Sequence, residues 1–403
     1  MNKNRLVRIF QKLKSCMRYK RNLENILFVH DHHPIDGGGV EVNTFSVAKE
    51  LVRRGFDVTI ATSISSSYQD DKHKSITGVR PLKPEEHEGV IIERVIETEQ
   101  LEKLIKKHLI VHSQVTFSLH PACMYTMEHC NKRGKVHFST IHTAPDFIRF
   151  SSMSGSSEFG LDVGMKKTRD LLNNTLCNIS VPAKFMEGSL LKNVGVNNEV
   201  NVIHNGIQRL EEPGYTKITT DLLYLGHISD KKGVMYIVDA VLLLKKKHPN
   251  IKVTLAGAGN GMVFLKGVIK KMGLSDNFNL KGYVPHSQIN NLIASTKVLL
   301  LPSITEVWPA VILEGLYFKK TIVASDVGGI PEMLDNGERG LIFKSMQAKD
   351  FAKKIDMALT DKELAKKFSK QDNHPYKIED QVDGLLEMYC RALNLSLEPV
   401  DEY

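Results

Sequence analysis

A chain of 403 residues is too long for one ordinary domain and predicts two, of roughly 150–200 residues each. Its 42% hydrophobic content can build real cores, and without a run of about eighteen apolar residues no membrane-spanning helix is expected. The net charge of +8 is local: eight of the 54 Lys and Arg fall in residues 1–21, which hold no acid, and the remainder balances 46 bases against 46 acids.

That distribution argues against a nucleic-acid-binding fold, which would spread basic charge over a folded face. Within the arm of residues 1–21, Leu6, Ile9, Phe10, Leu13, Cys16 and Met17 recur at helical spacing among the bases. The pattern fits an interfacial helix on an anionic membrane, and equally a helix packed on the body or a solvated tail. No apolar stretch follows the basic start, so a secretory signal is not expected. Five cysteines without a CxxC pair suit reduced thiols. The expected location is cytoplasmic, with the arm peripheral on the inner face of the membrane.

In chain order, Asn25–His30 reads as a strand, the glycines Gly37, Gly38 and Gly39 as a loop, Val40–Arg54 as a helix ended by Gly55, and Asp57–Ala61 as a second strand. This is a βαβ unit, the building block of a parallel sheet. Residues 64–90 are polar and carry little signal. Further strands are predicted at Leu109–His112, Val136–Ile141, Leu176–Ser180 and Val200–His204. His204–Pro213, with Asn205-Gly206, reads as an interdomain connection. Beyond it strands at Leu222–Gly226, Lys252–Ala256, Phe278–Gly282, Val298–Pro302, Thr321–Ala324 and Gly340–Phe343 alternate with helices over 233–247, 261–272, 286–295, 310–318 and 347–358. Such alternation predicts a doubly wound α/β fold with ligands at the carboxyl ends of the strands.

The densest chemical signal is Ser303-Ile-Thr-Glu306-Val-Trp308-Pro309-Ala-Val-Ile-Leu-Glu314, directly after an apolar strand. Glu306 falls on the loop and Glu314 in the helix that follows, with Pro309 suited to the first helical position. Two carboxylates at the mouth of a parallel sheet suit sugar hydroxyls, because each accepts several charge-assisted hydrogen bonds. Lys232 follows a strand and precedes a helix, where positive charge and free N–H groups favour a phosphate. His30, Asp31, His32 and His33 raise the thought of a metal site, but adjacent residues rarely converge on one ion, so no metal is expected.

The spacing Glu306-x7-Glu314 after a strand ending Leu-Pro-Ser resembles the signature of retaining GT-B glycosyltransferases, specifically glycosyltransferase family 4. The matches keep their order: Gly37–Gly39, Asn205-Gly206, Gly226 with Lys232-Gly233, Ser325-Asp326-Val-Gly328-Gly329-Ile-Pro331-Glu332, then Asn336-Gly337-Glu338-Arg339-Gly340. The resemblance implies a GT-B fold, two Rossmann-like doubly wound parallel-sheet domains facing a cleft. Expected boundaries are an arm at 1–21, an acceptor-side domain at 22–205, a nucleotide-sugar domain at 206–375, and a C-terminal helix within 376–403 packing back on the first domain. It implies Glu306 at the donor hexose, Glu314 at the ribose, Lys232 at the diphosphate and His142 near the reacting sugar. Gly37, Gly38, Gly39, Gly226, His227 and Trp308 would line the donor. His227 stands where the family has arginine, and Val307-Trp308-Pro309 where it has Gly-Phe-Gly, which shifts diphosphate binding toward Lys232. The implied partners are a UDP- or GDP-linked sugar and a glycan or lipid-linked acceptor, with no cofactor. A protein that binds a nucleotide-sugar or partner enzyme without turnover, and a nucleotide-sugar epimerase, fit the same architecture.

Overall fold

The computed structural model describes residues 25–30, 38–63, 84–95, 97–115, 121–143, 166–214 and 216–393. The basic arm, Gly37, and Asp31, His32 and His33 lie outside these. The chain divides into two units: Met1–Gly206 with Ile378–Tyr403, and Ile207–Lys377.

The first unit is built on an eight-stranded sheet. β1 (Asn25–His30) lies between β2 (Asp57–Ser63) and β5 (Ile110–Val115), both parallel to it. Outward from β2 come β4 (Val90–Val95) and the antiparallel edge strand β3 (Glu85–His87). Outward from β5 come β6 (His137–Ile141), β7 (Cys177–Val181) and β8 (Val200–Val202), all parallel. The β3–β4 hairpin turns on Glu88 and Gly89, at φ 50° and 81°. Two successive positive φ angles make the tight turn that suits twisted strands.

Helix α1 (Gly39–Arg53) and the C-terminal helix Ile378–Ala392 share one core. Val47 and Leu51 meet Val382, Leu385 and Tyr389 over Phe28 and Phe138. Arg54, nearly buried, ties them with charge: its guanidinium pairs with Glu50 at 2.6 Å and with Asp383, and donates to the Glu379 carbonyl at 3.0 Å. A buried polar chain runs beneath. His112 Nδ1 meets the Tyr389 hydroxyl at 2.6 Å, His112 Nε2 meets Thr140 Oγ1 at 2.7 Å, and Thr140 meets Ser180 Oγ at 2.7 Å. Burial holds the His112 imidazole down to about 3, so it is neutral. Losing one partner would leave a ring nitrogen desolvated and unpaired. Tyr389→Phe is therefore expected to lower stability by about 1–3 kcal/mol. In urea the midpoint should fall with the slope unchanged. An unmoved midpoint would remove the chain's stabilising role.

The second unit holds six parallel strands in the order β11-β10-β9-β12-β13-β14. These are β9 (Thr220–Leu225), β10 (Val253–Ala256), β11 (Phe278–Gly282), β12 (Thr296–Leu301), β13 (Thr321–Ser325) and β14 (Leu341–Phe343). The inner strands, buried on both faces, read as short continuous apolar runs such as Val298–Leu301, whereas the edge strand β11 alternates half-buried and exposed residues. The order reverses between β9 and β12, and the loops leaving a doubly wound sheet at that switch point open a crevice. Both the Lys232 loop, after β9, and the Glu306 loop, after β12, leave there. No helix among the described residues is long and apolar enough to cross a membrane.

Candidate active site

At the switch point of the second unit, β9 ends at Leu225 and the chain runs Gly226-His227-Ile228-Ser229 into a single helical turn, Asp230–Lys232. Gly233 then takes φ +65° and starts the helix Val234–Leu244. A Cβ on Gly233 would stand 1.9 Å from the Pro302 carbonyl oxygen, so only glycine lets this loop press on the end of β12. Gly257 does the same on the other flank: at φ +148° its Cβ would lie 1.8 Å from the Gly226 oxygen. The Ile304 amide donates to the Lys231 carbonyl at 2.9 Å, stitching the two loops together.

That close approach brings together two residues 74 apart in sequence: Lys232 Nζ lies 2.6 Å from Glu306 Oε1. The same oxygen accepts from Ser303 Oγ at 2.9 Å, and the Ser303 carbonyl accepts from Ser325 Oγ at 2.6 Å. Glu306 is thus fixed from below and its side chain is one-tenth exposed, whereas that of Lys232 is one-third exposed. The lysine is the more accessible partner, free to meet an incoming anion.

Pro309 caps the helix Ala310–Tyr317 with extended ψ of 119°, so Ala310 is the first helical residue and not Pro309 as the sequence suggested. Glu314 sits in the second turn. Its carboxylate has no hydrogen bond or ion pair among the described residues, and burial pushes it up to about 7. An unpaired carboxylate retains its full acceptor capacity for a vicinal diol.

The raised Glu314 pKa has two linked consequences. Its contribution to folding is complete below the reference value of 4.5 and is lost as pH rises through about 7. Accepting two hydroxyls requires the ionised form, so nucleotide-sugar affinity should rise across the same window. Binding to the wild-type protein is expected to be about tenfold weaker at pH 6 than at pH 8. Glu314→Gln should bind weakly without that pH step, and should melt higher than wild type at pH 8, by on the order of 2 kcal/mol. Calorimetric titration and thermal melts at both pH values check this. A pH step that survives in the glutamine variant would take the titration away from Glu314.

Of the other residues expected at the site, His227 is exposed, and its carbonyl accepts from the Tyr224 hydroxyl at 2.7 Å. Gly226 lies against Tyr224. Trp308 is 7% exposed, with its ring turned inward onto Tyr376.

In the first unit, His142 follows β6, where its amide donates to the Val115 carbonyl at 2.9 Å and Nε2 meets Gln114 Oε1 at 2.6 Å. As the amide is oriented, Nε2 carries the proton. Burial, then repulsion from His30, hold His142 down to about 3, so it acts as a neutral hydrogen-bonding ring. His30 ends β1 and lies 3.7 Å from Glu41. Gly38 precedes the helix bearing Glu41, and a Cβ there would stand 3.2 Å from its carboxylate; Gly39 opens the helix with free space around it. Gln114, Ser303 and Ser325 carried no assigned role in the sequence. Ser303 could have been flagged, since it lies in the same motif and within reach of Glu306 on a tight loop.

Two α/β units built on largely parallel sheets, the second with Lys232 and Glu306 paired at its switch point, give the chain a two-domain doubly wound architecture. The sequence pattern described as "Glycosyltransferase Family 4" matches residues 37–209, and that described as "Glycosyl transferases group 1" matches residues 213–374. The chain belongs to the GT-B glycosyltransferases of family 4. It is 24% identical over 324 residues to a component of the human phosphatidylinositol N-acetylglucosaminyltransferase, covering 77% of this chain and 63% of that one, less than two thirds of the relative's length. Sucrose-phosphate synthase from Thermosynechococcus elongatus has a similar fold, with a TM-score of 0.72 at 17% identity, covering 93% of this chain and all of that one. So has Anabaena HepE, solved with UDP and glucose, with a TM-score of 0.64 at 14% identity, covering 92% and 97%.

Proposed function

We propose that this glycosyltransferase is a retaining hexosyltransferase. In this reading it moves a hexose from a UDP- or GDP-linked donor to a glycan or lipid-linked acceptor in cell-surface polysaccharide assembly. The observation that carries the reading is the Lys232–Glu306 pair at 2.6 Å across the switch point, with the unpaired Glu314 on the helix that follows the Glu306 loop. Lys232 would leave Glu306 for the diphosphate, Glu314 would take the ribose hydroxyls, and Glu306 would take hydroxyls of the hexose. The bond from the anomeric carbon to the diphosphate breaks, and the acceptor oxygen bonds to the same face. Its proton passes to the departing phosphate oxygen, so no carboxylate base is needed opposite the sugar. Lys232 and the free amides at the start of the Ala310–Tyr317 helix supply the counter-charge without a metal.

HepE was solved with UDP and glucose, so UDP-glucose heads the donor panel. The test is a thermal-shift panel of nucleotide diphosphates and nucleotide-sugars, where a ligand at 100 times its dissociation constant adds about 2.7 kcal/mol. Turnover of the best binder follows, with the product's anomeric configuration read by NMR. An inverted product would refute retention, and a shift without turnover would favour the binding-only alternative that His227 suggests. Formation of an epimer would make the chain an epimerase.

The cytoplasmic and peripheral membrane location belongs to the same proposal. Eight bases near an anionic surface contribute about 1 kcal/mol each at most, an attraction that salt weakens. Deleting residues 1–21 is expected to release the protein from anionic vesicles at low salt while leaving donor hydrolysis nearly unchanged. Equal co-sedimentation of both proteins would take the arm out of membrane binding.

A further inference from the structure

The donor loop of residues 303–309 is held by different groups at its two ends. Ser303, Ser325 and Lys232 grip the Glu306 side, and the Ile304 amide reaches Lys231. Past Glu306, the Val307 carbonyl accepts from the Gly329 amide at 3.1 Å, and Pro309 has no N–H to give. The anchor of this half is the Trp308 side chain. Its indole meets Tyr376 edge-on, with ring centroids 5.1 Å apart and planes at 86°.

Tyr376 lies 68 residues further along, just before the chain leaves the second unit at Lys377. It is itself held. Its hydroxyl donates to the Glu332 carbonyl at 3.3 Å, and its carbonyl accepts from the Ile207 amide at 3.1 Å. His374 Nε2 meets the Ile207 carbonyl at 2.9 Å. Glu332 stands three residues after Gly329, which already bonds Val307. The contacts therefore close a ring: Val307, Gly329, Glu332, Tyr376, Trp308.

We propose that Tyr376 is a positioning residue for Glu306, acting through the Trp308 ring to fix the second half of the donor loop. The assignment rests on the transferase reading, in which Glu306 meets the sugar and Glu314 the nucleotide. A loop loosened only on the Trp308 side displaces Glu306 and spares Glu314, whose helix is held separately at its C-terminal end, where Asn373 Nδ2 donates to the Tyr317 carbonyl at 3.0 Å. Misplacing a reacting group by an ångström costs up to about a hundredfold in rate.

The experiment compares Tyr376→Ala, Tyr376→Leu and Tyr376→Phe in the full chain, with melting curves taken first. Tyr376→Ala is expected to lower kcat about tenfold or more, with KM for the donor and the dissociation constant of UDP within about twofold. Tyr376→Phe, which keeps the edge-on ring, should restore kcat. If the alanine variant does not fold, the leucine variant fills the volume without an aromatic edge and takes its place. Trp308 is the only tryptophan, so its emission reports on this loop alone and should shift to the red in the impaired variants. Unchanged kcat in the alanine or leucine variant would overturn the proposal. So would a phenylalanine variant as impaired as alanine, or a loss of UDP affinity in proportion to kcat. Absence of turnover in the wild-type protein with every donor would instead sink the transferase reading. In that case unchanged Trp308 emission across the variants would still overturn the brace, and a red shift in Tyr376→Leu absent from Tyr376→Phe would support it.

Discussion

Replacing Lys232 by alanine is expected to lower turnover at least about a hundredfold in a protein that still folds. A hundredfold is about 2.7 kcal/mol of transition-state stabilisation, the scale of one preorganised charge in a water-poor site. The expectation rests on how the position is built. Gly233 at φ +65° presses the lysine loop onto Pro302, so Nζ is carried to the mouth of β12 and held 2.6 Å from Glu306. That geometry holds Nζ at the mouth of β12 before any ligand arrives, so the exchange of Glu306 for the diphosphate is a short movement of one side chain. Folding should survive because Lys232 is one-third exposed and a pair open to solvent on one side contributes little to stability. His227, in the position where the family has arginine, offers an imidazole in place of a permanently charged guanidinium fork, so that position supplies no second fixed cation. Lys232→Arg keeps the charge but spreads it over a planar fork and should recover only part of the rate. Donor hydrolysis and transfer measured beside a melting curve decide the matter. Near-normal turnover in a folded Lys232→Ala protein would end its assignment to the diphosphate.

The strands that build this site were legible because parallel strands buried on both faces spell themselves as apolar runs. Val298–Leu301 and Ile322–Ala324 are such runs, and the observed β12 and β13 differ from the expected spans by a residue or two at the ends. The β3–β4 hairpin was not legible. Glu85–His87 is a three-residue polar edge strand, and its turn puts a glutamate at positive φ, where no Asn-Gly or Asp-Gly signal advertises it. At the candidate site, Glu306, Glu314 and Lys232 could be named from the resemblance of their motifs to the family pattern, but their states could not. The Lys232–Glu306 pair joins positions 74 apart, and His142 meets Gln114 across 28. Neither pairing leaves a trace in local sequence. The raised pKa of Glu314 depends on burial with no partner, a property of packing alone. Trp308 was expected to line the donor on its place in the motif. Its ring instead lies against Tyr376, a residue that no motif includes.

Glu306→Gln is expected to separate chemistry from nucleotide binding. The substitution keeps shape and one acceptor but removes the charge. Turnover should fall about a hundredfold or more, because the carboxylate would no longer favour positive charge developing at the anomeric carbon. UDP binding should hold, or tighten by a few-fold. In the free protein Glu306 Oε1 takes Lys232 Nζ at 2.6 Å, so an arriving diphosphate must compete with a carboxylate for its cation and then sit near that negative charge. A neutral amide competes less and repels nothing, which at the screening of a partly exposed pair is worth about 1 kcal/mol. Ser303 can still hold the amide oxygen at the place of Oε1, so the loop should keep its shape. Glu314→Gln should show the reverse pattern: UDP bound more weakly, and a rate at saturating donor closer to wild type. The discriminating measurement is the affinity for UDP in the two variants side by side, since free UDP carries the ribose and the diphosphate but no hexose. Weaker binding in Glu306→Gln with unchanged binding in Glu314→Gln would mean that the two carboxylates have been assigned to the wrong ends of the donor.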